Sequence, residues 1–154
     1  MLFSFLISGR DTHLKFLADN RIFTTDFVFE ELQLHQEVIS QRTKLLPDKF
    51  QQFVLTVFER VTVVPNLLTS TQSYYQAFML CRDIDPKDTD YVALSIQLDI
   101  PLLTRDKPLA DGLRTKSFKN IITLEELFRQ LDEPDSTNQP NEHYPSPRTS
   151  PSTD

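Results

Sequence analysis

Acidic side chains are concentrated in one stretch of the sequence, and they are its strongest chemical signal. Seven aspartates fall between positions 83 and 111, namely Asp83, Asp85, Asp88, Asp90, Asp99, Asp106 and Asp111. Carboxylates that converge from separate elements are the hard oxygen ligands that Mg²⁺ and Mn²⁺ require, usually about one to three per ion. The stretch is therefore a candidate metal-binding region if the fold brings some of these aspartates together.

A further acidic candidate lies upstream in the run FVFEELQLH at positions 27–35. Spacings of three and four residues place Glu31 in an apolar helical stripe, whereas the adjacent Glu30 projects about 100° away from it. An acid on an apolar face is unfavourable unless it is paired, protonated or bound to metal. Two interpretations stay open: Glu31 is a metal ligand, or it borders the stripe and reaches water or a basic side chain.

Three of the aspartates occupy positions that the local pattern explains. The run Asp85-Pro86-Lys87-Asp88 is a good helix start, with a capping aspartate, proline at the first helical position and a further acid. Asp106 follows the apolar run PLLT at 101–104 by two residues. It would thus stand at the carboxyl end of a strand, where open α/β sheets bind their ligands. Capping and simple ion pairs are the competing structural interpretations.

Several other kinds of chemistry are excluded by composition. The chain has 154 residues with 1 Cys, 3 His and 2 Gly, so it holds no disulfide framework, zinc-ligand spacing or glycine-rich phosphate loop. The fractions of hydrophobic (39%) and charged (25%) residues are typical of a soluble globular protein. The single Cys indicates a reducing, cytoplasmic location. The apolar run near the start is too short to span a membrane, and no membrane association is expected.

The net charge of −6 is unevenly distributed. The segment from position 132 onward contributes −4, since Asp132, Glu133, Asp135, Glu142 and Asp154 are opposed only by Arg148; residues 1–131 contribute the remaining −2. Residues 133–154 carry five of the ten prolines and no aliphatic residue. We therefore predict a domain over 1–131 and a disordered, acidic Pro/Ser/Thr-rich tail over 132–154.

Short β-like runs alternate with helical patterns and predict an α/β fold with a parallel sheet. The predicted strands are Arg21–Thr25, Val61–Pro65, Pro101–Thr104 and Asn120–Thr123. The predicted helices cover Phe27 to about Lys44, Pro47 to about Arg60, Thr69–Arg82, Asp85 to about Asp99, a short segment after Asp106, and Leu124–Leu131. Met1–Ser8 fits either a buried strand or the first turns of a helix.

The run DPKDTDYVALSIQLDIPLLTRDKPL at 85–109, together with FVFEELQLH, resembles the PIN-domain family of metal-dependent ribonucleases, which includes the VapC-type toxins. The likeness covers roughly residues 1–128 and implies a PIN-like three-layer α/β/α fold. Carried over, it assigns Glu31, Asp88 and Asp106 as metal-binding and catalytic acids, with Thr104 as the accessory polar residue and Asp90 in reserve. It also implies one or two Mg²⁺ or Mn²⁺ ions and hydrolysis of an RNA phosphodiester by metal-activated water. The partners it suggests are an RNA substrate, an antitoxin protein and a second copy of the chain.

In one respect the sequence departs from the family. A first, central strand ending in an aspartate should precede a helix resembling LFSFLIS, yet the chain starts at Met1 and Asp11 lies beyond that helix. We therefore expect the N-terminal central strand and its acid to be missing. The loss of its pairing would then make the chain fold poorly. Either the start given is too far downstream, or the chain is a truncated copy without activity.

Three functions remain as hypotheses. The first is a PIN-like endoribonuclease, with the toxin of a toxin–antitoxin pair as one form of it. The second is a catalytically inactive PIN remnant that binds RNA or a protein. The third is a phosphoacceptor receiver-like module, which expects paired acids after the first strand that this sequence does not show in that order.

Overall fold

A computed structural model describes residues 1–132 of the chain. Its first half contains helices α1 (Leu2–Ser8) and α2 (Asp11–Asp19), strand β1 (Ile22–Thr25), helices α3 (Phe27–Leu34), α4 (Gln36–Arg42) and α5 (Pro47–Arg60), and strand β2 (Val61–Val64). Its second half contains helices α6 (Thr71–Cys81) and α7 (Thr89–Leu98), strand β3 (Leu102–Thr104), helix α8 (Lys107–Thr115), strand β4 (Ile121–Thr123) and helix α9 (Leu124–Asp132). Short 3₁₀ turns lie at Asn66–Leu68 and Pro86–Asp88. The predicted tail lies outside the described residues, except for Asp132.

The four predicted strands form, and all their pairings are parallel. β1 pairs with β2, Ile22 opposite Val61, and β3 pairs with β4, Leu102 opposite Ile121. The strands thus form two two-stranded sheets within residues 1–132. The α/β class and parallel pairing expected of a PIN-like fold are confirmed.

A cavity of about 580 Å³ separates the two sheets. It is lined by residues of both β1 and β3, including Phe23 and Leu103. We call it the inter-sheet cavity. Because β1 and β3 have no partner on this side among the described residues, their backbone groups there take no part in sheet pairing.

Two differences from the sequence predictions concern the N-terminal half. Met1–Ser8, for which strand and helix were both open, contains helix α1, and Gly9 ends it in a left-handed conformation with φ 55°. The single helix predicted from Phe27 is interrupted at His35, whose ψ of 12° divides it into α3 and α4. No glycine or proline marks this break. It instead allows α4 to pack against α1 and bury Ile39.

The buried side chains form two separate hydrophobic clusters. The first core cluster draws on α1, α2, α3, α4, α5, β2 and α9, with Phe5 and Val57 fully buried. The second draws on α6, α7, β3, α8 and β4, with Val92 and Leu113 at its centre. In the described part of the chain, none of the helices is long and apolar enough to cross a membrane.

Candidate metal-binding site

Two of the three predicted acids lie just after strands, and the third lies at the start of a helix. Glu31 lies on α3, which begins two residues after β1 ends, and Asp106 lies two residues after β3 ends. Asp88 closes the 3₁₀ turn that leads into α7. Asp85 caps that turn as the sequence predicted, since its Oδ1 accepts a hydrogen bond of 3.0 Å from the Lys87 N–H.

Asp88 is the acid whose environment is most perturbed. The pKa of its carboxyl group is raised from 3.8 to about 6, first by burial and then by the negative charges of Asp85, Glu31 and Asp106. Glu31 and Asp106, which are far apart in sequence, are therefore both near Asp88. Among the described residues its carboxylate accepts no side-chain or backbone hydrogen bond and has no ion-pair partner. Asp88 is thus a half-buried carboxylate without an ion pair among the described residues, and the charge of the Met1 α-amino group offsets the surrounding negative charges only in part.

Glu31 is held in place by an aromatic hydroxyl group. The Tyr91 O–H donates a short hydrogen bond to Oε2 of Glu31. Burial and this hydrogen bond raise the pKa of the Tyr91 phenol well above its usual value. Glu31 is half-buried while Glu30 is exposed, as the apolar stripe predicted. The second oxygen of Glu31, Oε1, makes no hydrogen bond within residues 1–132.

Asp106 has a structural role as well as its position at the strand end. Its Oδ1 accepts a hydrogen bond of 2.8 Å from the Leu109 N–H and so caps α8. Its own N–H donates to Oγ1 of Thr104 at 3.0 Å. Thr104, the predicted accessory residue, therefore fixes the backbone of Asp106. The second carboxylate oxygen of Asp106, Oδ2, makes no hydrogen bond in the described structure.

Asp90, the reserve candidate, is occupied by a different contact. Its Oδ1 accepts a hydrogen bond of 2.6 Å from the side-chain amide of Asn66, and the Asn66 N–H donates to Asp26 at 3.0 Å. Asn66 follows β2 and Asp26 follows β1. This network ties the end of the first sheet to α7, which leaves Asp88 as the freer of the two acids.

Sequence reasoning did not find Tyr91, Asn66 or Asp26. The only sequence signal for Tyr91 was its position one helical turn after Asp88. Asp26 directly follows a strand, so the strand-end rule that selected Asp106 could have found it too. Asn66 carried no signal, because its role depends on two acids distant in sequence.

The positions of the three acids are only partly those of a metal-binding site. Glu31 and Asp88 both line the inter-sheet cavity, and Asp106 does not. Within residues 1–132, no three Asp, Glu, His or Cys side chains are arranged closely enough to hold an ion. The donor chemistry nevertheless suits Mg²⁺ or Mn²⁺, since carboxylate oxygens are the hard ligands these ions prefer. The side chains would have to move closer together on binding.

The N-terminal amino group lies near the same acids. Burial lowers the pKa of the Met1 α-amino group, while the charges of Glu31 and Asp88 oppose this shift and Arg105 adds to it. The start of α1 and the segment after β3 therefore both approach the acidic site.

Comparison with known proteins identifies the family of the chain. The family model for the PIN domain matches residues 1–132. The chain therefore belongs to the PIN-domain family, whose members are nucleases that generally depend on divalent metal and bind RNA. No curated protein and no solved structure matches the chain.

Proposed function

We propose that this chain is a Mg²⁺- or Mn²⁺-dependent endoribonuclease whose acidic site is formed by Glu31, Asp88 and Asp106. The observation that carries the proposal is the half-buried Asp88, which forms no ion pair among the described residues and whose pKa is raised by the nearby charges of Glu31 and Asp106. Clustered carboxylates repel a phosphodiester, so they are unsuited to an RNA backbone unless a cation lies between them. That requirement is typical of a metal-dependent nuclease.

Each side chain has a separate part in this proposal. Asp88 and the free oxygen of Glu31 would bind the ion from the cavity side, and Asp106 would do so from the end of β3. Tyr91 orients Glu31, Thr104 fixes Asp106, and Asp90 positions the loop after β2. When bound, the ion would polarise the phosphodiester and help to ionise water. Hydrolysis then adds water across a P–O bond and leaves a phosphomonoester and a hydroxyl group.

Cleavage of a labelled single-stranded RNA by the full chain tests this function. We expect cleavage with Mg²⁺ or Mn²⁺, none with EDTA, and at least about a hundredfold loss in Asp88→Asn, because removal of a metal ligand removes the ion's contribution. Asp99→Asn is the matched control, since Asp99 is exposed at the end of α7 in a left-handed conformation that Asn tolerates. Cleavage that persists equally in Asp88→Asn and the control would refute the proposal.

A second candidate is an RNA- or protein-binding member of the family without catalytic activity. The observation in its favour is that two of the three acids already serve the fold, since Glu31 holds Tyr91 and Asp106 caps α8. RNA binding by the full chain with no cleavage at any Mg²⁺ or Mn²⁺ concentration would favour this candidate.

The toxin role, the antitoxin partner and homodimer formation rest on the family resemblance, whereas the division into a domain over 1–131 and a tail rests on the composition of the chain. Expression of the chain in bacteria tests the toxin role, because a toxic ribonuclease should stop growth and Asp88→Asn should not. Growth unaffected by an active enzyme would argue against it.

A further inference from the structure

A second cavity lies beside the acidic site and has the opposite charge. It measures about 620 Å³ and lies between α1, the start of α2, the start of α8 and α9; none of its lining residues lines the inter-sheet cavity. Its basic and imidazole side chains are Arg10, His13, Arg105, Lys107, Arg114 and Arg129. We call this cavity the basic pocket.

Some of these cations are neutralised within the fold, and others are not. Arg114 forms an ion pair of 2.7 Å with Glu126, and Arg129 forms one of 3.3 Å with Glu125. Apart from His13, the other side chains of this set are Arg10, Arg105 and Lys107, which are exposed and form no ion pair within residues 1–132. Because residues 1–131 carry a net charge of −2, three uncompensated cations in one cavity are a local departure from the overall charge.

Arg10 and Arg105, which are distant in sequence, both lie near His13. Burial lowers the pKa of His13, and the charges of Arg10 and Arg105 lower it further. His13 stacks on Phe5 at 4.1 Å, and its Nδ1 lies 2.7 Å from Oγ of Ser8. The imidazole thus forms a fixed part of the pocket wall. Ser4 and Thr123 add hydroxyl groups to the pocket lining.

The position of the basic pocket relates it to the acidic site. Asp106, a proposed metal ligand, lies between Arg105 and Lys107 in sequence, and Thr104 lines the inter-sheet cavity just before them. A strand of RNA with one phosphate at the carboxylates would therefore pass over the segment that carries these two cations. The pocket volume lies in the range of about 300–1,000 Å³ that is usual for ligand sites.

We propose that the basic pocket binds the sugar–phosphate backbone of single-stranded RNA next to the bond at the acidic site, through Arg10, Arg105 and Lys107. The identity of the ligand rests on the proposed ribonuclease function, whereas the pocket and its charge do not. Lys and Arg bind phosphates with little regard to base sequence, so the pocket contributes affinity and register but no base preference.

Fluorescence anisotropy with the full chain, in EDTA to prevent cleavage, tests the proposal. The probe is a labelled single-stranded RNA of about ten nucleotides, within the usual range of site sizes. We expect Arg10→Gln, Arg105→Gln and Lys107→Gln each to weaken binding about three- to tenfold. Each should also reduce the slope of log K against log salt by about 0.7, since one fewer phosphate is neutralised. Lys49→Gln, which removes an exposed charge on α5 that lines neither cavity, should change neither the affinity nor the slope.

Chemical protection of the unsubstituted protein supplies a measurement that does not depend on variants folding. RNA should protect Lys107 from acetylation of its amine, and it should leave Lys49 reactive. Equal protection of both lysines, or equal loss of RNA binding in Lys49→Gln and the pocket variants, would overturn the proposal.

Other occupants give distinct results in the same assay. Inorganic phosphate or a mononucleotide that binds as tightly as the RNA would show that the pocket takes a free anion, and polyglutamate that does so would indicate an acidic protein partner. Either result overturns the RNA assignment.

RNA binding that depends on the pocket but occurs in a chain without nuclease activity would uphold this inference and refute the proposed function. RNA cleavage with a KM that is unchanged in the pocket variants would uphold the proposed function and refute this inference.

Discussion

At the scale of single residues, the site depends on the different constraints placed on acids of the same type. Asp85 and Asp106 are helix caps, and Asp90 is bound by Asn66. Asp88 has no such partner among the described residues and is half-buried among other negative charges. A carboxylate in that environment destabilises the fold when it is ionised. Among these acids, Asp88 is therefore the one for which the described structure shows no stabilising contact.

Stability should depend on pH through Asp88 in the protein without metal. Its pKa is about 6 in the folded state against an ordinary value of 3.8, so between these values the folded state binds more protons than the unfolded state. The free energy of unfolding should fall across this window as pH rises, by on the order of 1 kcal/mol after allowance for solvent screening. Urea titrations in EDTA at several pH values would measure the free energy of unfolding of Asp88→Asn and of the parent protein. The difference between the two should change with pH across this window.

The same isosteric change in Asp99→Asn provides the control, because Asp99 is exposed. A difference curve between Asp88→Asn and the parent protein that is flat with pH would show that Asp88 is not a strained carboxylate.

Tyr91 should matter for metal affinity more than for folding. Tyr91→Phe removes the hydroxyl group that holds Oε2 of Glu31, and loss of such an orienting contact typically weakens metal binding about 10- to 100-fold. Mn²⁺ binding measured by calorimetry should show a weakening of this size. Tyr75→Phe, an exposed position on α6, should leave it unchanged. Equal affinities in the two variants would mean that Tyr91 serves packing alone.

At the scale of elements, the C-terminal helix is fixed by a reciprocal cap. Oε2 of Glu126 accepts a hydrogen bond of 2.8 Å from the Thr123 N–H, while Oγ1 of Thr123 accepts one of 3.2 Å from the Glu126 N–H. This is a capping box, in which each side chain satisfies a free N–H group at the start of α9. Arg114 of α8 adds an ion pair to the same Glu126 carboxylate. One acid therefore links β4, α8 and α9.

This arrangement predicts a second dependence on pH, of the opposite sign. The hydrogen bond with Arg114, followed by that from the Thr123 N–H, lowers the pKa of Glu126 from 4.5 to about 2. Its stabilising effect should be complete above pH 4.5 and should be lost as pH falls towards 2. Glu126→Gln should lower stability above pH 4.5 and remove this loss, as followed by acid titrations of the circular dichroism signal. Glu125→Gln, in the same turn, is the control; a response of equal size would contradict the assignment.

At the scale of the whole molecule, the described chain has two hydrophobic clusters and two small sheets with a cavity between them. Glu31 belongs to α3, which packs in the first core cluster, whereas Asp88 and Asp106 stand beside elements of the second. The proposed ion would therefore connect the two clusters at the edge of the inter-sheet cavity. Without it, the acids repel one another across this boundary.

Metal should consequently stabilise the whole fold. An ion that binds only the folded state raises the free energy of unfolding by RT ln(1 + [L]/Kd). An ion concentration of a hundred times Kd should therefore raise it by about 2.7 kcal/mol. Thermal melts with increasing Mn²⁺ should show a rising Tm in the parent protein and in Asp99→Asn, and almost none in Asp88→Asn. A rise of equal size in all three proteins would locate metal binding elsewhere.

The sequence by itself determined the local elements and the candidate acids. Hydrophobic runs, proline and aspartate at helix starts, and the position of Asp106 after PLLT are encoded within a few residues, and the strands and most helices follow from them. The break at His35 was not predictable in this way, because no residue there disfavours a helix. It arises from the packing of α4 on α1.

Only the tertiary structure decided which acids are constrained and which are free. The family's spacing favoured Asp88 over Asp90, but it could not show that Asp90 is occupied by Asn66, which lies 24 residues away in sequence. It also gave no sign of the basic pocket, because Arg10 and Arg105 are distant in sequence and the body of the chain is nearly neutral. Electrostatic environment depends on distances in space, and these are set by how α2, α8 and α9 pack together.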